Sequence, residues 1–358
     1  MKQKSKFKVI DREKCARLLL WPGSSGAKSN PYVGYFAESL KKQGFEVESF
    51  TALIWFFGFC KHDALIVHWP ESAAQGKHHT LQKIFFSIFV FTLKIYRWRG
   101  RNVVWVYHNK RPHDKKHINY QSFSLMVDGV VSPSYTGLSV CMAEYPHLQK
   151  VPRAVSRIGC YSSKGEEAAD TKKIAISDKE YVFLSFGYIR PYKGLEALIS
   201  AVKKMERDDV ALIICGQAID QQYVQHLVEL VDDSDRVQLD IGFVSDQKLQ
   251  EYFSSSNAAI FAFNNMLHSS SVIAARSAGL PVLAPAVGSI EEYSKLDPGL
   301  YVSKNPVTVD CINKFLDEFS ESPPALPEAH FGWESIGSQT ADLIWRVLNA
   351  QLEERDNL

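Results

Sequence analysis

Short apolar runs alternate with amphipathic segments along most of the chain. Runs such as 181–186 are typical of buried parallel strands, whereas apolar residues recur at helical spacing from Leu195 onward. Strands are predicted at 16–21, 45–50, 64–68, 102–107 and 129–132, and again at 181–186, 211–215, 237–239, 258–263 and 281–284. Helices are predicted at 33–42, 195–205, 221–231, 246–254, 271–278 and from 336 to about 352. This alternation predicts an α/β fold with mostly parallel sheets.

Two domains of ordinary size are predicted from the length of 358 residues. The stretch 162–180 is polar, contains few apolar residues and is the best candidate for a linker. The predicted division is therefore 1–165, 166–325 and a C-terminal segment, 326–358, that contains the last helix. Two Rossmann-like halves would face each other across a cleft and present strand ends and helix N-termini to it.

Composition narrows the function classes. The 41 Lys and Arg residues balance 40 Asp and Glu residues, which gives no general case for nucleic-acid binding. The loop after the first strand holds Gly23 and Gly26 without a GxGxxG fingerprint, which argues against a nicotinamide dehydrogenase. HExxH and Walker-type motifs are also absent from the sequence, which removes the obvious metalloprotease and ATPase interpretations.

The most hydrophobic run is 84–93, "IFFSIFVFTL". It is shorter than the roughly 20 residues that span a bilayer, and its length favours a core helix. Basic residues flank it, so a peripheral membrane contact through 83–101 is the alternative, and one helix can serve both roles. With no signal-peptide pattern and no CxxC pair, the sequence favours a cytoplasmic protein, in the second case one lying on the inner face of the plasma membrane.

Two cations stand between a predicted strand and helix in "FGYIRPYKG", where open α/β sheets bind ligands. "LIICGQ", "VQLDIGFVSDQKLQEYFSSSNAAIFAF" and "SSSVIAARSAGLPVLAPAVGSIEEY" follow in order. Together these motifs over 181–293 resemble the GT-B glycosyltransferases, particularly the family 4 group that uses nucleotide sugars. The resemblance implies two Rossmann-like domains, with the C-terminal helix packing back on the N-terminal domain. It also implies no cofactor and no catalytic metal.

The resemblance also implies a donor site in the second half of the chain. The implied donor-binding residues are Gly187, Arg190, Lys193, Gly216, Phe243, Ser269, Ser270, Ser271 and Glu292. Fixed cations suit a departing diphosphate, and the serines open a helix whose backbone N–H groups bind anions. The sequence departs from the family where two glutamates are usual, because Met266 and Ala274 stand there. The retaining or inverting outcome is therefore left open.

The first half is expected to hold the acceptor. "LIVHWPES" and "WVYHNKRPHDKKH" place polar residues at two predicted strand ends, and the second resembles the His–Asn turn of β-mannosyltransferases acting on lipid-linked glycans. An inverting transfer needs a general base. The catalytic candidates are His108 and Asp114, with His113 and Glu71 as alternates. The acceptor-side loop is assigned to Gly23, Ser24, Ser25 and Gly26.

The predicted function is transfer of a hexose, best mannose from GDP-mannose, to a lipid-linked or oligosaccharide acceptor in bacterial surface polysaccharide synthesis. The donor is GDP- or UDP-linked, and no nucleic acid is expected as partner. A non-catalytic nucleotide-sugar-binding or scaffold protein, suggested by the missing glutamates, is the alternative. A GT-B nucleotide-sugar epimerase is the third interpretation.

Overall fold

The computed structural model describes residues 15–23, 31–51, 61–76, 78–111, 118–161 and 179–356. The chain divides into two compact units. The first combines Met1–Gly159 with Glu328–Leu358, and the second is Cys160–Pro327. The predicted boundary at 165 falls outside the described residues.

Each unit is built on one parallel sheet. The strands of the first unit are β1 (Arg17–Trp21), β2 (Glu46–Ser49), β3 (Ala64–Val67), β4 (Asn102–Val106), β5 (Gly129–Ser132) and β6 (Arg153–Val155). Those of the second are β7 (Tyr181–Phe186), β8 (Val210–Gly216), β9 (Val237–Ile241), β10 (Ala258–Ile260), β11 (Val282–Pro285) and β12 (Leu300–Ser303).

Helices connect the strands. In the first part of the chain they are α1 (Tyr32–Lys42), α2 (His79–Trp98), α3 (Gln121–Ser124) and α4 (Tyr135–Glu144). The second unit contains α5 (Leu195–Lys204), α6 (Gln221–Val231), α7 (Asp246–Ser254), α8 (Ser270–Ser277), α9 (Ile290–Ser294) and α10 (Val309–Glu318). The chain ends with α11 (Glu328–Phe331) and α12 (Trp333–Asp356). Short 3-10 turns occupy Pro70–Ala73, Pro146–Lys150 and Pro191–Lys193.

All strand pairs in both sheets are parallel. The first sheet has the order β2-β1-β3-β4-β5-β6 and the second has β12-β11-β10-β7-β8-β9. Central strands such as β3, β4 and β8 are buried along their whole length, because helices cover both faces of a parallel sheet. The carboxyl ends of neighbouring parallel strands therefore meet at one edge of each sheet, and the candidate site residues lie at these edges.

The last helix belongs to the first unit, as the resemblance implied. Thr340 of α12 donates its hydroxyl to the Ser156 Oγ at 2.9 Å, and both residues are buried. The ring of Trp345 stacks on that of Phe45, with 5.1 Å between centroids. A Cβ added at Gly159 would lie 2.3 Å from the Trp333 indole, so only glycine allows this approach. The helix thus completes the core of the first unit.

Candidate active site

The donor-side candidates lie after the carboxyl ends of β7, β8, β9, β10 and β11. Two glycines bring two of these ends together. Gly216 has φ +145°, and a Cβ there would lie 2.1 Å from the Gly187 carbonyl oxygen. The Gly242 N–H donates to the Gly216 oxygen at 3.0 Å, which adds the end of β9 to the group. Glycine is therefore required at 216 for close backbone packing at the site.

Lys193 lies inside this edge rather than on its surface. The Lys193 side chain is buried, and its Nζ donates to the Phe186 carbonyl oxygen at 3.0 Å. The rings of Phe261 and Phe263 lie 5.8 and 5.3 Å from Nζ, where an ammonium is attracted to the ring face. The pKa of Lys193 is lowered to about 8, chiefly by burial; Cys215 opposes this shift and the positive charge of Arg190 contributes to it.

Two polar groups converge beside Gly187. A Cβ added there would lie 3.0 Å from Lys193 Nζ and 3.1 Å from the Ser271 Oγ. Gly187 has φ +101°, which favours glycine independently of that crowding. An ammonium and a hydroxyl therefore border the same small space at the end of β7.

Helix α8 adds backbone donors to this group. The Ser269 Oγ accepts from the Val272 N–H at 3.4 Å, as an N-cap does, and Ser270 and Ser271 form the first turn. The first N–H groups of a helix have no partner within the helix, and they attract phosphate oxygens. Lysine, hydroxyl and helix N-terminus together form a suitable receptor for a phosphate group.

The remaining donor-side candidates follow β7, β9 and β11 at the same edge. The Arg190 guanidinium is half-buried and stacks on the Tyr188 ring at 5.4 Å. Glu292 is half-buried in the first turn of α9. Phe243 is 72% exposed just after β9, so little of its side chain is held by the second unit.

The segment without the usual glutamates approaches the next turn through its backbone. A Cβ added at Gly288 would lie 2.2 Å from the Met266 carbonyl oxygen, and the Ser289 N–H donates to the Leu267 oxygen at 2.9 Å. Met266 and Ala274 are partly exposed and supply no hydrogen-bonding side chain. The Met266 and Leu267 carbonyl oxygens therefore lie against the Gly288–Ser289 turn, and the two side chains at the glutamate positions supply no carboxylate.

The first unit has a pair of histidines at the corresponding edge of its sheet. His68 Nδ1, after β3, lies 3.1 Å from His108 Nε2, after β4. His68 is buried, and burial lowers its pKa to about 3, so it is neutral near pH 7. A neutral imidazole has one N–H, and either ring can donate to the other across this contact. His68 therefore fixes the orientation of His108.

Aromatic rings enclose this pair. Trp69 stacks on His108 with 4.9 Å between centroids, and Tyr32 packs edge-on to the His108 ring at 5.2 Å. Glu71 lies close by, and its Oε2 accepts from the Tyr120 hydroxyl at 2.8 Å. A small pocket joins the group and is lined by His68, Trp69, Pro70, Glu71, Trp105, His108, Asn109 and Tyr120. The structure thus brings His108 and Glu71 together.

Several predicted residues cannot be placed in this pocket. His113 and Asp114 lie outside the described residues, as do Ser24, Ser25 and Gly26 of the acceptor-side loop. Gly23 is described, and a Cβ there would lie 2.4 Å from the Phe50 carbonyl oxygen. Its demonstrated role is close packing against the end of β2.

No role was predicted from the sequence for His68, Tyr120, Phe261 or Phe263. His68 was noted at the strand end in "LIVHWPES", but only Glu71 was taken from that end as a catalytic candidate. Phe261 and Phe263, the aromatic neighbours of Lys193, belong to the run 258–263, all of which was predicted to be a strand. β10 ends at Ile260, so Phe261 and Phe263 lie beyond the strand at the site edge.

Residues 166–329 match the family model of the glycosyl transferases group 1. The match covers less than half of the chain, so it assigns residues 166–329, and not the whole chain, to this family. The GDP-mannose:glycolipid 4-beta-D-mannosyltransferase of Xanthomonas campestris pv. campestris is 22% identical to this chain over 77% of it and 78% of the relative. The protein of that name in strain ATCC 33913 is 26% identical, with 43% of this chain and 45% of the relative covered. The chain therefore spans less than half the length of this second relative.

Solved structures share the fold. The crystal structure of Anabaena HepE in complex with UDP and glucose superposes on 96% of this chain and 99% of its own, with a TM-score of 0.61 and 14% identity. This likeness confirms the predicted α/β, GT-B-type fold. The glycosyltransferase class rests on the family model over residues 166–329. The roles of individual residues, and the absence of cofactor and metal, stay predictions.

Proposed function

We propose that this chain transfers a hexose, best mannose from GDP-mannose, to a lipid-linked or oligosaccharide acceptor in bacterial surface polysaccharide synthesis. The observation that carries the proposal is the meeting of the Lys193 ammonium and the Ser271 hydroxyl beside Gly187, within a group 1 glycosyltransferase domain. The names of the Xanthomonas relatives support mannose and a glycolipid acceptor. The UDP in the HepE structure supports a nucleotide-linked donor.

The proposed reaction divides the work between the units. An acceptor hydroxyl attacks the anomeric carbon of the sugar, and the bond from that carbon to the diphosphate oxygen breaks. His108 takes the hydroxyl proton, and the nucleoside diphosphate leaves with the bonding electrons. Arg190, Lys193 and the first turn of α8 stabilise the negative charge that develops on the diphosphate.

The proposed stereochemical outcome is inversion. A retaining route in this family relies on the glutamate positions, here Met266 and Ala274, which carry no acidic group. A single displacement needs only a base on the acceptor side and charge stabilisation on the donor side. His108, oriented by His68, supplies the base, and Lys193 supplies the charge stabilisation.

Transfer assays test this proposal. Radiolabelled GDP-mannose and other nucleotide sugars would be incubated with the full chain and bacterial lipid extracts. We expect labelled glycolipid with the wild type, and a loss of roughly 100-fold or more in Lys193→Ala because the charge stabilisation is removed. Lys204→Ala changes an exposed lysine of α5 outside the site and should retain activity. Failure to transfer any sugar, or full activity of Lys193→Ala, would contradict the proposal.

A second candidate is a protein that binds a nucleotide sugar without turnover. Met266 and Ala274 favour it, because the usual sugar-binding carboxylates are missing. Calorimetry that detects GDP or UDP binding by a chain that transfers nothing would support this function. Binding with transfer would exclude it.

The proposed acceptor class also implies a cellular location for the protein. A lipid-linked acceptor lies in a membrane, so the proposal includes a cytoplasmic protein in peripheral contact with the inner face of the plasma membrane through 83–101.

A further inference from the structure

Helix α2 has two different sides. Its inner side packs on the first sheet through buried Phe86, Phe89, Leu93 and Tyr96. The Tyr96 hydroxyl donates to the His62 carbonyl oxygen at 3.1 Å, and Arg97 pairs with Asp128 at 2.7 Å. These contacts fix the rotation of the helix about its axis, and therefore which residues face outward.

The outer side is a row of large apolar residues. Their exposed fractions run from 36% to 81%, for Leu81, Ile84, Phe85, Ile88, Phe91, Ile95 and Trp98. Steps of three and four residues place them on one stripe along a helix of about 30 Å. Soluble surfaces seldom expose so many large apolar side chains together, and such a patch usually marks an interaction site.

The charges beside the stripe are all basic. Lys83 and Lys94 are exposed and lie about three turns apart on the same flank of the helix. The helix sequence contains no aspartate or glutamate, and exposed Arg99 follows its end. A second copy of the same face would bring like charges together, whereas anionic lipid head groups would complement them.

We propose that the outer side of α2 docks on an anionic lipid surface, with the helix lying in the plane of the interface. None of the helices among the described residues is long and apolar enough to cross a bilayer. The apolar stripe would enter the acyl boundary, and Lys83 and Lys94 would contact the head groups. The docking itself is inferred from the exposed side chains of α2. Its role in bringing the site to a lipid-linked acceptor rests on the proposed function.

The position of α2 in the first unit connects the docking with the proposed reaction. The helix begins soon after the Pro70–Ala73 turn, which carries Glu71, and so starts at the site edge of the sheet. A helix lying on the membrane would hold the His108 pocket close to the lipid surface. The docked partner is thus a bilayer that also contains the acceptor.

Vesicle flotation with the full chain tests the docking without any substrate. The two probes are vesicles of phosphatidylcholine alone and of an equal mixture with phosphatidylglycerol. We expect clear binding to the mixture and weak binding to the neutral vesicles. The 81% exposed Trp98 provides a second readout, since its emission should shift to shorter wavelength on binding. Trp98→Phe should remove the shift and keep most of the binding.

Matched variants test whether the outer side of α2 makes the contact with the vesicle. Ile88→Asp combined with Phe91→Asp should lower vesicle binding roughly tenfold or more, because two charges would enter the acyl boundary. Val228→Asp places one such charge at a 48% exposed apolar position of α6, away from α2, and should not affect binding. Lys83→Gln with Lys94→Gln should lower binding to the mixture only, by roughly tenfold.

Equal binding by the Ile88/Phe91 variant and the wild type, or binding to neither vesicle, would overturn the docking. A dimer that this variant abolishes would assign the face to a second copy instead. Nucleotide binding measured by calorimetry is independent of vesicles. A chain that binds GDP but not vesicles would lose only the docking inference, whereas the reverse would count against the proposed function.

Discussion

His68 is a residue whose environment allows only one charge state near neutral pH. Its ring is buried beside Phe36, with 4.8 Å between centroids, and its pKa of about 3 leaves it uncharged. Nε2 of His68 has no hydrogen-bond partner among the described residues, so its link to polar groups runs through Nδ1 and His108. We interpret His68 as a positioning residue for His108.

Two substitutions separate this role from simple filling of space. For His108 to act as a base, its Nε2–H must donate to residue 68 and leave Nδ1 free. The amide oxygen of His68→Asn can accept that hydrogen bond in place of Nδ1, whereas the amide group of His68→Gln takes the place of Nε2 and cannot reach His108. We expect transfer kcat to fall roughly tenfold in His68→Gln and to stay within about threefold of wild type in His68→Asn. Donor KM should change little in either. Equal losses in the two variants, with unchanged thermal stability, would exclude the positioning role.

Lys193 predicts a pH dependence of donor binding. The phosphate prefers the ammonium form, and the unliganded protein loses that proton as pH rises through about 8. Nucleotide affinity should therefore be steady near pH 7 and fall above about pH 8, by up to about tenfold per pH unit. Calorimetric titration with GDP measures this. Lys193→Ala should bind weakly at every pH with a flat profile; a wild-type profile that is flat up to about pH 10 would contradict the assignment.

At the scale of elements, the site depends on loops packed backbone to backbone. Gly216→Ala would drive a methyl group into the Gly187 carbonyl at a positive φ. We expect a loss of more than about 2 kcal/mol in unfolding free energy and weaker GDP binding, because Gly187 must move. Gly242→Ala is the control, since no atom lies within 4 Å of its added Cβ. Chemical denaturation and calorimetry should distinguish the two variants.

Element prediction succeeded where local pattern and tertiary burial agree. The strand Tyr181–Phe186 and the helices Gln221–Val231 and Asp246–Ser254 were predicted with their observed bounds. Of the four outermost strands, β6 and β12 were not predicted. β6 has three residues, begins with an exposed arginine and is only half-buried beyond it, so it has no apolar run to detect. Such a strand is defined by the neighbour it pairs with.

The candidate site was likewise predictable only where a local sequence pattern marks it. The order of motifs located Lys193 at a strand end, and the apolar strand before "HNK" located His108. Burial of Lys193 between Phe186, Phe261 and Phe263 depends on two strands that are distant in sequence. The contact between His68 and His108 likewise joins residues 40 positions apart. Neither arrangement has a local sequence signal.

For the whole molecule, helix α12 is the element on which the first unit depends. It supplies the Thr340 contact to Ser156 and the Trp333 ring over Gly159. Removal of residues 333–358 should abolish cooperative unfolding of the first unit and leave the second unit folded. Calorimetry with and without GDP would assign the remaining transition, because the nucleotide should raise its midpoint. A chain ending at Asp356 is the control, and two intact transitions in the longer deletion would contradict this dependence.

The division of the first unit between both ends of the chain affects its synthesis. The first sheet leaves the ribosome early, yet the helix that covers part of it is encoded after all of the second unit. The second unit is continuous in sequence and can complete its fold as soon as Pro327 has emerged. The first unit therefore completes its fold after the second, and a nascent chain would expose part of the first unit's core until residues 328–358 have emerged.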